Sequence, residues 1–170
     1  NNTLACTAAR ASAQKLGYDA QILTTALSGE AAEAGKCFAQ LAKAINEGKS
    51  RTEKPAIIIA GGETTVTLRG KGKGGRNQEM ALAFALELHR ILQDSANIFF
   101  MSAGTDGSDG PTDAAGALVT PALMEKMKTI SAEAASHLQD NDSYSFFQTQ
   151  GGLFITGPTY TNVCDIQVLA

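Results

Sequence analysis

The chain has 170 residues, of which 44% are hydrophobic and 18% charged, so it can build the core of one globular domain. Its formal net charge of −3 excludes a general attraction to nucleic acid or to an anionic membrane, and any anion site must be local. Cys6, Cys37 and Cys164 are odd in number and lack a CxxC spacing, which predicts a reduced, cytoplasmic chain without a disulfide or zinc framework.

The first fifty residues predict a helix, a short strand and a second helix. The Ala-rich segment 3–16 ends at a glycine, as helices often do. Residues 18–24 read as a strand, and residues 29–47 carry apolar side chains at helical spacing. No signal peptide or membrane-spanning run is visible. The chain starts at Asn1 rather than at Met, which is expected of a piece cut from a longer protein.

The middle of the chain predicts strands that would lie inside a sheet. The apolar runs 55–62 and 97–104 are typical of strands buried on both faces. The segment 65–68, TVTL, alternates instead, as a half-exposed strand does. Residues 76–93 form the clearest helix, with apolar positions on two sides that predict packing on two sides.

Short helices and strands complete the chain, which we predict to be a single α/β domain over 1–170. Helices are expected at 121–130, 132–139 and 143–149, and strands at 153–157 and 164–170. The interleaving of helices and strands predicts a layered domain with a mixed, largely parallel sheet flanked by helices.

The stretch GKGKGGRNQE, residues 70–79, is rich in glycine and positive charge. Its spacing matches the dinucleotide-binding GxGxxG formally, but the strand before it alternates and Asp94 comes too early to bind a ribose. A Walker P-loop is excluded because GxxxxGK[ST] is absent. The remaining hypotheses are an anion site, formed by backbone N–H groups, a helix N-terminus, Lys71, Lys73 and Arg76, or a flexible, solvated turn.

A second polar constellation follows the buried strand 97–104, at the sheet edge where ligands bind in open α/β folds. Three carboxylates, Asp106, Asp109 and Asp113, together with Thr105, are of the type that suits Mg²⁺. The spacing does not fit an EF-hand. The alternative is that these residues build turns and cap helices, and Asp109 before Gly-Pro is the best candidate for a turn role alone.

Other polar residues are less specific. Glu63 ends a predicted buried strand and is placed like a functional acid, or like part of a turn. Asn141 reads first as part of a helix cap. His89 and His137 are expected to be structural, since neither lies near a plausible nucleophile.

Three long motifs give the chain a family resemblance. They are GGETTVTLRGKGKGGRNQE, GTDGSDGPTDAAGA and NDSYSFFQTQGGLFITGPTYTNVCDI. Together and in this order they resemble the C-terminal MOFRL domain of the glycerate 2-kinases, long labelled hydroxypyruvate reductases. Residues 1–50 are similar to the helix–strand–helix lead-in of that domain, and residues 55–170 to its core. The resemblance implies a second domain of a two-domain enzyme, with a Rossmann-like domain upstream that this chain lacks.

The resemblance also implies an activity: transfer of the ATP γ-phosphate to the 2-hydroxyl of D-glycerate with Mg²⁺, in a cleft between the domains. An NAD(P)H-dependent hydroxypyruvate reductase and a non-catalytic metabolite-binding domain remain as alternatives. The expected partners are D-glycerate and the N-terminal domain, with no nucleic acid or membrane, and a homo-oligomer is left open. The isolated fragment is expected to be inactive.

In that scheme Arg76, with its bidentate fork, is the strongest candidate for binding a phosphate or carboxylate. Asp106 and Glu63 would share two roles, one holding Mg²⁺ and the other accepting the proton of the substrate hydroxyl. The expected substrate- and phosphate-binding residues are Gly72, Lys73, Gly74, Gly75, Asn77, Thr105, Asp113 and Asn141.

Overall fold

A computed structural model describes residues 1–92 and 97–170 of the chain. Within these ranges the helices are α1 (Asn2–Lys15), α2 (Ala31–Asn46), α3 (Arg76–Ile91), α4 (Pro121–Gln139) and α5 (Ser143–Gln150). The strands are β1 (Asp19–Leu27), β2 (Ala56–Gly62), β3 (Phe100–Gly104), β4 (Gly116–Val119), β5 (Leu153–Phe154) and β6 (Asp165–Leu169). None of the described helices is long and apolar enough to cross a bilayer.

The six strands form one mixed sheet in the order β1-β2-β6-β3-β4-β5. Only β1 and β2 pair in parallel, whereas the four other pairs are antiparallel. The expected mixed α/β sheet is confirmed, and the expectation that it is largely parallel is wrong. The two buried runs β2 and β3 do point the same way, but β6 lies between them in the opposite direction.

The sheet is covered unequally on its two faces. Helix α1 lies over β1 and β2 on one face, where a Cβ atom at Gly61 would lie 2.7 Å from Cys6 Sγ. Helices α2 to α5 cover the other face and enclose the main core, in which Phe84 stacks on Phe100 with ring centroids 4.3 Å apart. Gly35 allows α2 to approach the backbone of α3, because a Cβ there would lie 3.0 Å from the amide nitrogen of Phe84.

Several predicted elements differ from the structure. The predicted helices 121–130 and 132–139 are one helix, because only Ser131 separates them and serine does not break a helix as Gly or Pro does. β5 is shorter than 153–157, and β4 was not predicted. The helix expected over 76–93 ends at Ile91, and its last predicted residue lies outside the described residues, as does Asp94.

The segment TVTL, residues 65–68, is not a strand. Thr65 makes one isolated bridge to Glu30. The carboxylate of Glu30 then accepts the N–H of Thr67 at 2.8 Å and its hydroxyl at 3.1 Å. Because a side chain takes the backbone N–H that a neighbouring strand would use, the alternating pattern does not form a strand here.

Candidate functional site

Polar side chains converge where β2 and β3 end and β6 begins. Asp165, the first residue of β6, lies opposite both Gly62 of β2 and Gly104 of β3. Glu63 follows β2 directly, and Asp106 lies two residues beyond β3. Because β6 is antiparallel to both neighbours, its start meets their carboxyl ends, and this edge gathers three carboxylates.

Arg76, the first residue of α3, is held by two of these carboxylates. Its Nε and Nη2 donate to the two carboxylate oxygens of Asp165 at 2.6 and 2.9 Å. Its Nη1 lies 2.9 Å from Glu63 Oε1. Hydrogen bonding to Asp165 is the main reason why the pKa of Arg76 is raised. The guanidinium has five N–H groups, so at least two have no partner among the described residues.

Asp165 is the member of this cluster that was not predicted. Its side chain is 1% exposed, against 34% for Arg76. The sequence does contain one signal for its role, since Asp165 begins a short apolar strand. A carboxylate buried with such a strand needs a charged partner. Sequence spacing alone gave no indication that this partner is 89 residues away.

Asp106 lies beside the same cluster. A Cβ atom at Gly104 would lie 3.1 Å from Asp106 Oδ1 and 3.6 Å from Asp165 Oδ1, so both carboxylates flank this glycine. Asp106 Oδ1 accepts the N–H of Ser108 at 3.0 Å. Within residues 1–92 and 97–170, no group of three or more His, Cys, Asp or Glu side chains is arranged to hold a metal ion.

Thr105 anchors the loop that leads into β6. Its hydroxyl donates to the carbonyl of Cys164 at 2.6 Å and accepts the N–H of Val163 at 2.9 Å. Its backbone N–H also donates to the Cys164 carbonyl. The hydroxyl expected to bind substrate is therefore occupied, and Thr105 instead fixes the residues immediately before Asp165.

The glycine-rich loop packs against an acidic turn of its own chain. Each backbone N–H from Arg69 to Lys73 donates to a residue about 70 positions later. The acceptors are Asn141 Oδ1 for residues 69 and 70, Asp140 Oδ1 for residue 71, the Asp140 carbonyl for residue 72 and Asp142 Oδ1 for residue 73. The glycines permit this close approach, and the hypothesis of a flexible, solvated turn is wrong.

This arrangement corrects part of the predicted phosphate site. The N–H of Gly72 is used by the Asp140 carbonyl at 2.8 Å, so it is not available to a phosphate. The N–H groups of Gly74 and Gly75 have no acceptor among the described residues. The potential anion site at this loop therefore narrows to Gly74, Gly75 and the free N–H groups of Arg76.

We expect Gly72→Ala to lower the free energy of unfolding by about 2 kcal/mol or more, because a Cβ would lie 2.6 Å from the Asp140 carbonyl oxygen. Lys71→Ala, a change at an exposed neighbour, should alter it by no more than about 0.5 kcal/mol. Urea denaturation of both variants measures the difference. Equal stabilities would contradict the close packing of loop and turn.

Asp109 caps the start of α3. Its carboxylate accepts the backbone N–H of Asn77 at 3.1 Å and of Gln78 at 2.9 Å, and both side-chain amides donate to it as well. The side chain is 2% exposed, and burial raises its pKa against the opposing effect of these hydrogen bonds. Asp109 thus compensates much of the partial positive charge at the start of α3 within the protein. Its role therefore extends beyond the turn that was predicted for it.

Asn77 and Asn141 are structural in this arrangement. Asn77 is fully buried, and its Oδ1 accepts the hydroxyl of Ser102 at 2.6 Å while its amide binds Asp109. Asn141 Nδ2 donates to Glu79 Oε2 at 2.9 Å, and its Oδ1 holds the glycine-rich loop. Both side chains thus make hydrogen bonds within the fold, and their binding of substrate stays a prediction.

Lys73, Tyr144 and Asp113 form a second group beside the loop, in which the buried Tyr144 lies between two exposed charged residues. The Lys73 ammonium lies 4.3 Å from the centroid of the Tyr144 ring. The Tyr144 hydroxyl donates to Asp113 Oδ1 at 2.8 Å, and this hydrogen bond raises the pKa of Tyr144. Lys73 and Asp113, which were both predicted to bind substrate or phosphate, thus contact the same tyrosine side chain.

Glu79 makes the stability of the site depend on pH. Burial raises the pKa of Glu79, and the hydrogen bond from Asn141 only partly opposes this. An acid with a raised pKa in the folded state contributes stability below its unfolded pKa and loses that contribution as the pH rises through the folded value. Neutral pH therefore imposes an unfavourable buried charge at this position.

We expect Glu79→Gln to gain stability relative to the parent chain as the pH rises, because glutamine keeps an acceptor for Asn141 without the charge. Denaturant unfolding compares the two proteins at about pH 4.5, near the ordinary pKa of glutamate, and at about pH 8, well above it. Glu125→Gln, at an exposed position, serves as the control. A difference between Glu79→Gln and the parent that does not change with pH would contradict the buried ionised carboxylate.

Comparison with known proteins identifies the family to which this chain belongs. The model of the family described as "MOFRL family" matches residues 56–165, and the chain belongs to that family. It is 44% identical over 161 residues to the D-glycerate 2-kinase of Thermotoga maritima, a match that covers 95% of this chain and 38% of the relative. It is 39% identical to the glycerate 2-kinase of Pyrococcus horikoshii, over 99% of this chain and 37% of the relative.

A solved structure agrees with these relatives. The crystal structure of glycerate kinase from Thermotoga maritima superimposes with a TM-score of 0.91 at 42% identity, and the match covers 99% of this chain and 40% of that one. The chain thus spans about two fifths of the length of the relatives that it matches.

Proposed function

We propose that this chain is the C-terminal part of a glycerate 2-kinase, which transfers the γ-phosphate of ATP to the 2-hydroxyl of D-glycerate. The observation that carries the proposal is a fixed guanidinium, Arg76, surrounded by carboxylates at one sheet edge, in a chain whose relatives are named for that activity. Phosphoryl transfer depends mainly on positioning and on charge neutralisation, for which such a cluster is suited.

Arg76 is proposed to bind the transferred phosphoryl group or the carboxylate of glycerate. Its Nε and one Nη atom are held by Asp165, so the remaining N–H groups keep a fixed direction without further loss of side-chain freedom. Gly74 and Gly75, with their free N–H groups, lie directly before Arg76, and Lys73 adds a positive charge. These groups together would bind one anion beside Arg76, and the guanidinium supplies the main attraction because Asp109 already caps the start of α3.

Mg²⁺ is compatible with one or two of these carboxylates, although no three of the described acidic side chains are arranged to hold a metal ion together. Glu63, Asp106 and Asp165 carry three negative charges against one positive charge on Arg76, which favours a divalent cation at this edge. Mg²⁺ commonly takes one or two protein carboxylates and completes its shell with water and phosphate oxygens. Asp106 and Glu63 are the two candidates for holding it, and the metal would neutralise phosphate charge when bound.

Asp106 and Glu63 are also the candidates for accepting the proton of the substrate hydroxyl. Asp106 is fixed by the N–H of Ser108, whereas Glu63 is 59% exposed and forms an ion pair with Arg76. We propose that the fixed carboxylate of Asp106 binds the metal and that Glu63 accepts the proton. Exchange of these two roles is the alternative.

The rest of the site is proposed to come from a Rossmann-like domain that precedes Asn1 and closes a cleft over this edge. The chain matches only about two fifths of the length of its relatives, and the side chains of Arg76 and Glu63 are 34% and 59% exposed. Cytoplasmic ATP and D-glycerate would meet between the two domains. The 170 residues alone are therefore expected to be inactive.

The test uses this chain together with the residues that precede it in its gene. The protein is incubated with ATP, Mg²⁺ and D-glycerate, and phosphorus NMR follows the product, while NADH oxidation by hydroxypyruvate is followed in parallel. A 2-phosphoglycerate signal without NADH loss is expected. NADH consumption without phosphorylated product would replace the proposal by a reductase, and saturable metabolite binding without turnover would replace it by a binding domain.

A further inference from the structure

One face of the sheet carries a continuous apolar surface, here called the outer apolar face. It consists of Phe99, Met101, Leu118, Phe154, Ile166 and Val168. Met101 lies opposite both Leu118 and Val168, and the next outward row runs from Ile166 through Ala103 and Gly116 to Phe154. Since directly opposite residues share a face and successive residues alternate, these side chains project together.

The outer apolar face lies on the side away from the main core. Phe100 and Ser102 point into the core side, where the Ser102 hydroxyl donates to Asn77 of α3. Met101 alternates with them and must point the other way. On that side α1 covers β1 and β2 and touches β6, and in the described parts of the chain no other helix covers β6, β3 or β4 from outside.

No further layer of the described structure covers this surface. All six side chains are apolar, five are only partly buried, and Phe99 is 49% exposed. Soluble monomers rarely expose a large contiguous apolar patch, and one larger than usual marks an interaction site. A sheet buries its apolar faces against another layer of structure, and here that layer is incomplete beyond β2.

We propose that the polypeptide preceding Asn1 packs on the outer apolar face, an inference that rests on the proposed two-domain function. The amide of Asn2 donates to the carbonyls of Val163 at 2.8 Å and of Asp165 at 2.9 Å, so α1 begins beside the start of β6. A polypeptide joined to Asn1 therefore emerges at the border of this face. The relatives contain roughly three fifths of their length outside the match, which is ample to cover it.

Methionine oxidation tests this contact directly. The experiment uses this chain together with the residues that precede Asn1, here called the longer protein. Dilute hydrogen peroxide oxidises accessible methionine sulfur, and mass spectrometry gives the rate at each position. Met127 is 0% exposed and serves as the buried standard. We expect Met101 to react within about threefold of Met127 in the longer protein, because the preceding polypeptide shields it.

Oxidation of Met101 more than about tenfold faster than Met127 would overturn the proposal, since the face would then be open. Protection that disappears on dilution, together with a dimer in sedimentation, would also overturn it, because a second copy would then cover the face. Kinase activity is measured separately on the same protein. If Met101 is protected but the protein has no glycerate kinase activity, only the proposed function is contradicted. If the protein is active but Met101 reacts fast, only the proposed packing on the outer apolar face is contradicted.

A matched pair of variants gives a second measurement. Leu118→Lys places a charge on the outer apolar face, and Leu23→Lys makes the same change at a position of β1 that is 55% exposed. In the longer protein, we expect Leu118→Lys to increase the rate at Met101 at least about tenfold while Met127 stays slow. Leu23→Lys should change neither rate. Equal rates at Met101 in both variants would contradict the contact.

Discussion

Replacement of Arg76 by alanine is expected to reduce kcat/KM for D-glycerate phosphorylation on the order of a thousandfold in the complete enzyme. Three short contacts fix the guanidinium inside the carboxylate cluster, and alanine removes its remaining donors from the phosphate or carboxylate. Steady-state kinetics with ATP and Mg²⁺ measures the effect.

Two controls separate chemistry from folding in this experiment. Arg90→Ala changes an exposed arginine at the other end of α3, which pairs only with Glu87 among the described carboxylates, and should leave kcat/KM close to that of the parent. Arg76→Lys keeps the charge but loses the fork, and should recover only part of the activity. If Arg76→Ala stays folded with kcat/KM near normal, Arg76 does not bind the reacting anion.

Replacement of Asp109 by alanine is expected to lower the free energy of unfolding by about 3 kcal/mol or more. The change removes the acceptor of two backbone N–H groups at the start of α3 and of the buried Asn77 amide, while the Gln78 amide keeps the Thr112 hydroxyl as a partner. Urea denaturation followed by circular dichroism measures this loss.

Asp113→Ala is the matched control, because it removes the same side chain four residues away, where Asp113 is exposed and accepts only the Tyr144 hydroxyl among the described groups. It should cost less than about 1 kcal/mol. Equal losses for both variants would mean that Asp109 is not the cap on which the start of α3 depends.

The local elements of this fold could be predicted because they follow from local patterns. The apolar run around Ile58 and the helical spacing after Arg76 each depend on neighbouring residues, and both were recognised in the sequence. Strand order depends instead on which distant segments meet. That β6 lies between β2 and β3 has no signature within the residues of β6.

The residues of the candidate site could likewise be predicted only where the signal lies in neighbouring residues. Glu63 and Asp106 were expected because they follow buried strands, and the structure brings both to the same sheet edge. Asp165 and the cap by Asp109 were not expected in these roles, since each depends on a partner between 31 and 89 residues away. The glycines of residues 70–75 indicated a close approach correctly, but much of what approaches them is the protein's own acidic turn.

The central position of β6 has a consequence for how the protein is made. During synthesis β1 and β2 leave the ribosome first and β3 to β5 follow, yet the described residues show no direct pairing between these two groups of strands. Within the sheet they are joined only when residues 165–169 emerge and pair with both β2 and β3. Asp165 arrives with the same strand, so the guanidinium of Arg76 acquires its buried partner in the step that completes the sheet.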